Sequence, residues 1–217
     1  MTGREAVLRL KVKLNQLDTA SNRTVRPEKA LLFLNDAYEK LAQAKYKRNH
    51  QQDETGFQFN QLATDDLNHL TRNFSITPTV ENDTYVINIS DIPNYWIHLK
   101  SSLKVKYGNV EKWVWDPNYC TLDTVNTTKN DPFNHTIPSK PVVYFEENKI
   151  KILVNGFSIL EYKITYYHKP SEITLESVLN IPFIDEVIDT ATTLMLENWG
   201  DQRFQTKTVL DTAIEQK

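Results

Sequence analysis

Residues 142–167, VVYFEENKIKILVNGFSILEYKITYY, decide the fold of this 217-residue chain. Short runs rich in β-branched and aromatic residues predict three strands, at 142–145, 150–154 and 160–167. The Glu-Glu-Asn sequence at 146–148 separates the first two runs, and Asn155-Gly156 precedes the third, as in tight turns. Strands joined this closely favour an antiparallel sheet or a small sandwich.

Further strands are predicted before this stretch, because the apolar pattern has a period of two after Phe74. The residues expected on one face of each strand are Tyr85, Ile87 and Ile89, then Leu103, Val105 and Tyr107, and then Trp113 and Trp115. Residues 123–140 are polar and rich in turn formers, and they are predicted to form a long loop.

Both ends of the chain instead carry apolar residues at helical spacing. The strongest helical pattern follows Pro27, a residue favoured at a first helical position, and runs through Ala30, Leu31, Leu34, Ala37, Tyr38, Leu41 and Ala44. Weaker patterns predict helices around residues 7–17, 59–70 and 204–214. A further helix is predicted after Pro182, with an apolar stripe of Val187, Ile188, Ala191, Met195 and Trp199.

The order of these elements predicts an α+β fold: N-terminal helices, a central antiparallel β-sheet or small sandwich, and C-terminal helices. We divide the chain into an N-terminal helical part at 1–73, a β-rich part at 74–170 and C-terminal helices at 171–217. The C-terminal helices are expected to pack with the N-terminal helices, forming one composite domain beside a β-domain.

Composition excludes several classes of protein. One cysteine, Cys120, rules out an internal disulfide and any multi-cysteine metal site. A net charge of −3 argues against a general nucleic-acid binder, which needs a basic surface. No stretch approaches the ~20 apolar residues of a membrane span, so we expect a protein made in the cytoplasm with no membrane partner.

No pattern of catalytic residues is present, and we predict no enzyme activity, cofactor or metal site. None of the five histidines lies within five residues of another, and the nucleotide-binding, serine-hydrolase and zinc-protease motifs are absent. A virion-associated hydrolase stays open as a third hypothesis, in which His98 or His168 would meet distant carboxylates.

Trp113, Trp115 and Tyr119 form an aromatic cluster in the sequence. Such rings stack on sugars or contact other proteins, and they also pack in cores. The cluster therefore supports an alternative function, a carbohydrate- or receptor-binding β-module of a phage tail.

The linear order of several short segments resembles the head-to-tail connector proteins of tailed bacteriophages, especially the ring proteins of crAss-like phages. The resemblance covers about residues 24–216 and depends on LNDAY (34–38), GFQ (56–58), TDDL (64–67), IPNYWIH (92–98), KPVVYF (140–145), YYHKPSEI (166–173) and IP with DEVIDTA (181–191). Trp96, Ile97 and the long loop at 123–140 depart from the family pattern, and they leave open which ring of the neck this is.

The resemblance implies a structural protein of the virion neck, a tail adaptor that forms a ring of identical chains, typically twelve. Its partners would be the portal protein on one side, a tail or neck ring protein on the other, and DNA passing non-specifically through the bore. The resemblance brings no catalytic residues with it. We take as candidate interface residues Ala37, Tyr38, Trp113, Trp115, Tyr119 and Tyr167.

Overall fold

A computed structural model describes residues 1–16, 25–50, 64–82, 84–131, 133 and 135–198. It confirms the predicted α+β class. The chain divides into two compact units, a helical unit of Met1–His69 with Pro170–Lys217 and a β unit of Leu70–Lys169. Each unit is described by itself below.

The helical unit contains three long helices among its described residues: α1 (Gly3–Gln16), α2 (Pro27–His50) and α4 (Ile184–Asn198). Helix α4 packs against both α1 and α2. The buried stripes are Ala6, Val7, Leu10 and Leu14 of α1, Ala30, Leu34, Ala37, Tyr38 and Ala42 of α2, and Val187, Ile188, Ala191, Met195 and Leu196 of α4. Burial of these three stripes stabilises the unit, since most helical stability in proteins comes from packing an apolar face.

Gly3 allows α1 to begin directly against the segment that precedes α4. A Cβ atom at this position would lie 1.8 Å from the carbonyl oxygen of Thr174. The Gly3 and Arg4 amides also donate to the carbonyls of Ser177 and Leu175, at 2.9 and 3.0 Å. Two of the amides at the start of α1, which have no partner within the helix, are thereby satisfied.

Asn35 joins α2 to the chain where it returns from the β unit. Its side-chain amide donates to the Ile173 carbonyl at 3.2 Å, and its side-chain oxygen accepts the Ile173 amide at 2.7 Å. Both backbone groups of a buried residue are satisfied in this way, because the Ile173 side chain lies in the core. This pair of hydrogen bonds connects two segments of the phage resemblance, LNDAY and YYHKPSEI.

The β unit has two sheets and one short helix, α3 (Val125–Asn130), among its described residues. Its strands are β1 (Thr71–Ile76), β2 (Thr79–Glu81), β3 (Thr84–Asn88), β4 (Tyr95–Tyr107), β5 (Val110–Val114), β6 (Asn118–Cys120), β7 (Val142–Glu146), β8 (Lys149–Leu153) and β9 (Ser158–His168). Strands β1-β9-β4-β5 form an antiparallel sheet, and β2-β3-β8-β7-β6 form the second. The second sheet is mixed, because β6 pairs parallel to β7.

Both sheets contribute to one apolar core. Its buried members include Leu103, Val105, Ile159, Tyr162 and Ile164 from the four-stranded sheet and Ile87, Val143, Ile150 and Ile152 from the five-stranded sheet. The two sheets therefore bury their inner faces together, as sandwiches do.

The three strands predicted at 142–167 are confirmed as β7, β8 and β9. Strands β1 and β2 are not predicted by the sequence pattern, and β4 begins at Tyr95, earlier than the apolar alternation indicates. Register shifts between Tyr95 and Ile97, His98 and Lys100, and Lys104 and Val105 break the alternation along β4. The long loop predicted at 123–140 contains one short helix, α3, so the prediction is wrong for residues 125–130.

Two predicted helices fall partly or wholly outside the described residues. Residues 64–67 of the 59–70 pattern are helical and continue into a 3₁₀ turn at Asn68–Leu70, while 59–63 lie outside the described part. Trp199 and the predicted helix at 204–214 also lie outside it. Helix α2 extends to His50, beyond Ala44, the last residue of the predicted apolar stripe.

Replacing Asn35 with Ala should lower the free energy of unfolding of the helical unit by about 2 kcal/mol, because two buried backbone groups of Ile173 lose their partners. Urea denaturation measures this change. The neighbouring substitution Asp36→Ala is the matched control: Asp36 is exposed, and its loss should cost less than about 0.5 kcal/mol. Equal stability of the two variants would contradict this role for Asn35.

Candidate functional site

The four-stranded sheet carries a cleft of about 460 Å³ across its three neighbouring strands β1, β9 and β4. The cleft is lined by Asn73, Phe74 and Ser75 of β1, Lys163, Ile164 and Thr165 of β9, Lys100, Ser101 and Ser102 of β4, and Trp115, just beyond β5. We call this surface the tryptophan cleft.

The tryptophan cleft is cationic. Two of its ten lining residues are lysines, Lys100 and Lys163, and none is Asp or Glu. The Lys163 ammonium lies 4.2 Å from the ring centroid of Trp113 and 3.9 Å from the carboxylate of Glu161. A cleft with this charge attracts anionic groups of a ligand or partner.

Trp113 and Trp115 are brought together, as the sequence cluster predicted. Their ring centroids are 5.9 Å apart with an angle of 29° between the planes, a stacked arrangement. Trp113 is half-buried, whereas Trp115 is 70% exposed. Trp115 therefore presents a large apolar ring at the cleft, which is typical of interaction surfaces.

Polar side chains complete the wall of the cleft. The Thr165 hydroxyl donates to the side-chain oxygen of Asn73 at 2.7 Å, which orients both groups. Ser102 is only 7% exposed, and its hydroxyl has no hydrogen-bond partner among the described residues. This hydroxyl lines the cleft and can bond an incoming group.

Tyr119 lies beside the tryptophan pair in sequence but has a different role. Its hydroxyl is 2.5 Å from Ser101 Oγ and 3.5 Å from His98 Nε2. The contact joins β6 of the five-stranded sheet to β4 of the four-stranded sheet. The Tyr119 ring also lies edge-on to His98, whose other ring contact is Phe145. Tyr119 thus helps to hold the two sheets of the β unit together, and part of its side chain remains exposed at the surface.

His98 is neutral at neutral pH, because burial lowers its pKa from 6.5 to about 4. Burial also raises the pKa of Tyr119. Neither group is charged in its resting state, so the cluster is a neutral hydrogen-bonded link between the sheets. His98 and His168 lie on neighbouring strands, and no group of three or more His, Cys, Asp or Glu side chains suited to a metal occurs among the described residues.

Three of the candidate interface residues are buried within the folded chain. Ala37, Tyr38 and Tyr167 are 0, 4 and 2% exposed, and they serve the core. Their selection as surface residues needs correction, because a side chain that is already buried offers no area to a neighbouring copy. A charged substitution at Ala37 would therefore test folding before it tested assembly.

The side chain of Tyr38 is hydrogen-bonded and packed inside the helical unit. The His69 Nδ1–H donates to the Asp66 carbonyl at 2.7 Å, which leaves Nε2 to accept the Tyr38 hydroxyl at 2.7 Å. The Tyr38 ring also packs against Phe183, and burial raises the pKa of Tyr38 to about 12. All of these contacts are internal to the helical unit.

The surface instead displays apolar residues that were not among the candidate interface residues. Tyr107 and Val110 are exposed at the tip of the β4–β5 hairpin, and Phe133 is 92% exposed after α3. The sequence pattern places Tyr107 in one strand run with Leu103 and Val105, which are buried. Tyr107 is exposed because the strand ends there, where Gly108 adopts a φ of +59° for a two-residue turn. Hairpin tips and loops are the positions that alternation cannot assign to core or surface.

Comparison with known protein families gives no match to this chain, and neither does comparison with curated protein sequences. Among the described residues, no helix is both long and apolar enough to cross a bilayer.

The pH dependence of stability should report the burial of His98. Because its pKa is lower in the folded chain than its ordinary 6.5, His98 supports folding fully above pH 6.5 and loses that contribution as the pH falls towards 4. Replacing His98 with Phe keeps an aromatic ring and removes the titration. Thermal melts from pH 7.5 to 4 should show the wild-type chain losing stability relative to this variant, and parallel curves would contradict the assignment.

Proposed function

We propose that this chain is a structural virion protein that forms a ring in the neck of a tailed bacteriophage. The ring joins the portal to the tail and lets DNA pass through its bore. It works by assembling, without enzyme activity, cofactor or metal. The order of the segments that resemble phage connector proteins supports this proposal.

The observation that carries the proposal is the set of large apolar side chains left at the surface of the β unit. They include Tyr107, Val110, Trp115, Leu122 and Phe133. Aromatic residues are enriched in protein interfaces, and large apolar side chains that folding leaves exposed can be covered by a partner. These residues come from separate loops and strand ends, which suits contacts with more than one neighbour.

A ring requires that one face of each copy bind a different face of the next copy. The β unit has such unlike surfaces: the cationic tryptophan cleft on one sheet, and apolar loops that do not line it. The chain's net charge of −3 suits a bore that DNA crosses, because a chain without a net positive charge attracts phosphates weakly.

The mass of the purified protein, alone and mixed with the portal protein of the same phage, tests the proposal. Native mass spectrometry should detect a species of roughly 300 kDa if twelve chains of 25.3 kDa close a ring. A stoichiometric complex with the portal would support the same function. A chain that stays monomeric at high concentration and ignores the portal would overturn it.

Val110→Asp should weaken assembly at least tenfold while leaving the thermal stability of the chain nearly unchanged, because Val110 is exposed in the single chain and a desolvated charge is costly in an interface. Val178→Asp is the matched control. It places the same charge at an exposed valine of the helical unit, outside the β unit whose apolar surface supports the proposal. If the Val110→Asp chain assembled at the same concentrations as the wild type, the hairpin tip would not belong to the interface.

One observation favours the alternative, a carbohydrate- or receptor-binding β-module. The tryptophan cleft combines an exposed indole with hydroxyl and amide groups, a combination that also suits sugars. A glycan array probed with the wild-type chain and with Trp115→Ala distinguishes the two functions. Binding by the wild-type chain alone, together with a monomeric mass, would favour the β-module.

A further inference from the structure

We infer that the tryptophan cleft binds an acidic sugar, a pyranose ring that carries a carboxylate. The inference goes beyond the ring function and names the class of sugar that the alternative function leaves open. It does not depend on assembly, because every lining residue belongs to the β unit of one chain. At about 460 Å³, the cleft also has the size of a small-ligand site, which is roughly 300–1,000 Å³.

Short polar side chains keep the middle of the cleft open. Residues that pair across antiparallel strands lie on one face of a sheet, and rows two residues apart share that face. Two such rows cross the cleft, and four of their six members are Ser, Thr or Asn, which leave space between the longer side chains. The rows are Asn73–Thr165–Lys100 and Ser75–Lys163–Ser102.

These short side chains suit a ligand that carries its own hydroxyl groups. The middle strand of the cleft, β9, pairs with β1 on one edge and with β4 on the other, so its backbone amides and carbonyls are already bonded. An extended peptide that adds to a sheet needs free backbone groups at an edge. A sugar instead exchanges hydrogen bonds with side-chain hydroxyls and amides, such as those of Ser102 and Asn73.

Trp115 supplies a flat apolar surface for one face of the sugar ring. It lines the cleft and is 70% exposed. Its ring stacks on Trp113 with centroids 5.9 Å apart, and the Lys163 ammonium lies 4.2 Å from the centroid of Trp113. The indole is thus held in place before a ligand arrives, and an ordered group loses less conformational freedom on binding.

Lys100 provides the charge that selects an acidic sugar over a neutral one. Its side chain is exposed, and its ammonium has no hydrogen bond or ion pair among the described residues. Lys100 and Lys163 are diagonal neighbours on adjacent strands, a relation that places residues about 7–8 Å apart. One carboxylate bound between them can contact both ammonium groups.

The acidic residues around the cleft only partly offset this charge. Glu111 forms an ion pair with Lys104 at 2.8 Å, and neither lines the cleft. Glu161 lies opposite Lys104 in the ladder and 3.9 Å from the Lys163 ammonium. Asp116, just after β5, does not line the cleft either. The charges that face the cleft itself are therefore the two lysines, and a carboxylate can form charge-assisted hydrogen bonds with them.

A matched pair of sugars tests the inference. Methyl glucuronide carries a carboxylate where methyl glucoside carries a hydroxymethyl group, and the two rings are otherwise alike. NMR titration of the purified chain should show the glucuronide binding at least tenfold more tightly, because hydrogen bonds between charged groups are the stronger ones. Inorganic phosphate should bind much more weakly than the glucuronide, because it has no ring to stack on Trp115.

Three variants assign the binding to the cleft. Lys100→Gln should weaken glucuronide binding about tenfold and bring it close to that of the glucoside. Trp115→Ala should weaken glucuronide binding at least tenfold. Lys106→Gln is the matched control, since it removes an exposed lysine of the same strand that does not line the cleft, and it should bind like the wild type. Thermal melts of all three should match the wild type, because the altered side chains are exposed.

Equal binding of the two sugars, or binding of neither, would overturn the inference. Phosphate that bound as tightly as the glucuronide, with no loss in Trp115→Ala, would also overturn it by making the cleft a plain anion site. So would an acidic peptide that bound the cleft when the sugars did not. The ring is read separately, from the mass of the chain: a monomer that binds glucuronide removes the ring alone, and rings that bind no sugar remove this inference alone.

Discussion

The antiparallel pairing of β1 with β9 is the constraint on which the rest of the structure depends. These are the first and last strands of the β unit, and they pair from Thr71 with Tyr167 to Ile76 with Tyr162. The chain therefore leaves the β unit beside the point where it entered. Because of this, the β unit is an insertion between the helices of one helical unit, and α4 packs with α1 and α2 although the whole β unit separates it from them in sequence.

Strand β9 serves the core and the candidate site at the same time. Tyr162, Ile164 and Tyr166 are buried in the shared core of the two sheets. Lys163 and Thr165 alternate with them and, with β1 and β4 on either side, line the tryptophan cleft. The cleft is therefore built on the strands of the sheet: β9 and β4 are paired on both edges, and β1 is an edge strand paired with β9. A site supported in this way keeps its geometry better than one built from loops alone.

The candidate residues fall into two groups, those that are buried in the folded chain and those that are exposed. Ala37 and Tyr38 lie on the same helical stripe as the core residues Ala30 and Leu34, and that stripe is filled by α4. Trp115 and Phe133 are left largely exposed instead. Core and interface use similar apolar and aromatic residues, because each buries them against closely packed atoms. Composition and spacing alone could not separate the two uses here.

The sequence by itself determined the α+β class, the long helix α2 and the strands β7, β8 and β9. Periods of 3.6 and 2 are local, and short turns fix which strands are neighbours. It did not determine β1, whose pattern is weak and whose pairing with β9 spans the whole unit, nor the extent of β4, where bulges break the alternation. Only the tertiary structure decided which aromatic rings face water and which polar groups line the cleft. Exposure depends on what packs over a side chain, and those neighbours are distant in sequence, as Lys100 and Asn73 are from Lys163 and Trp115.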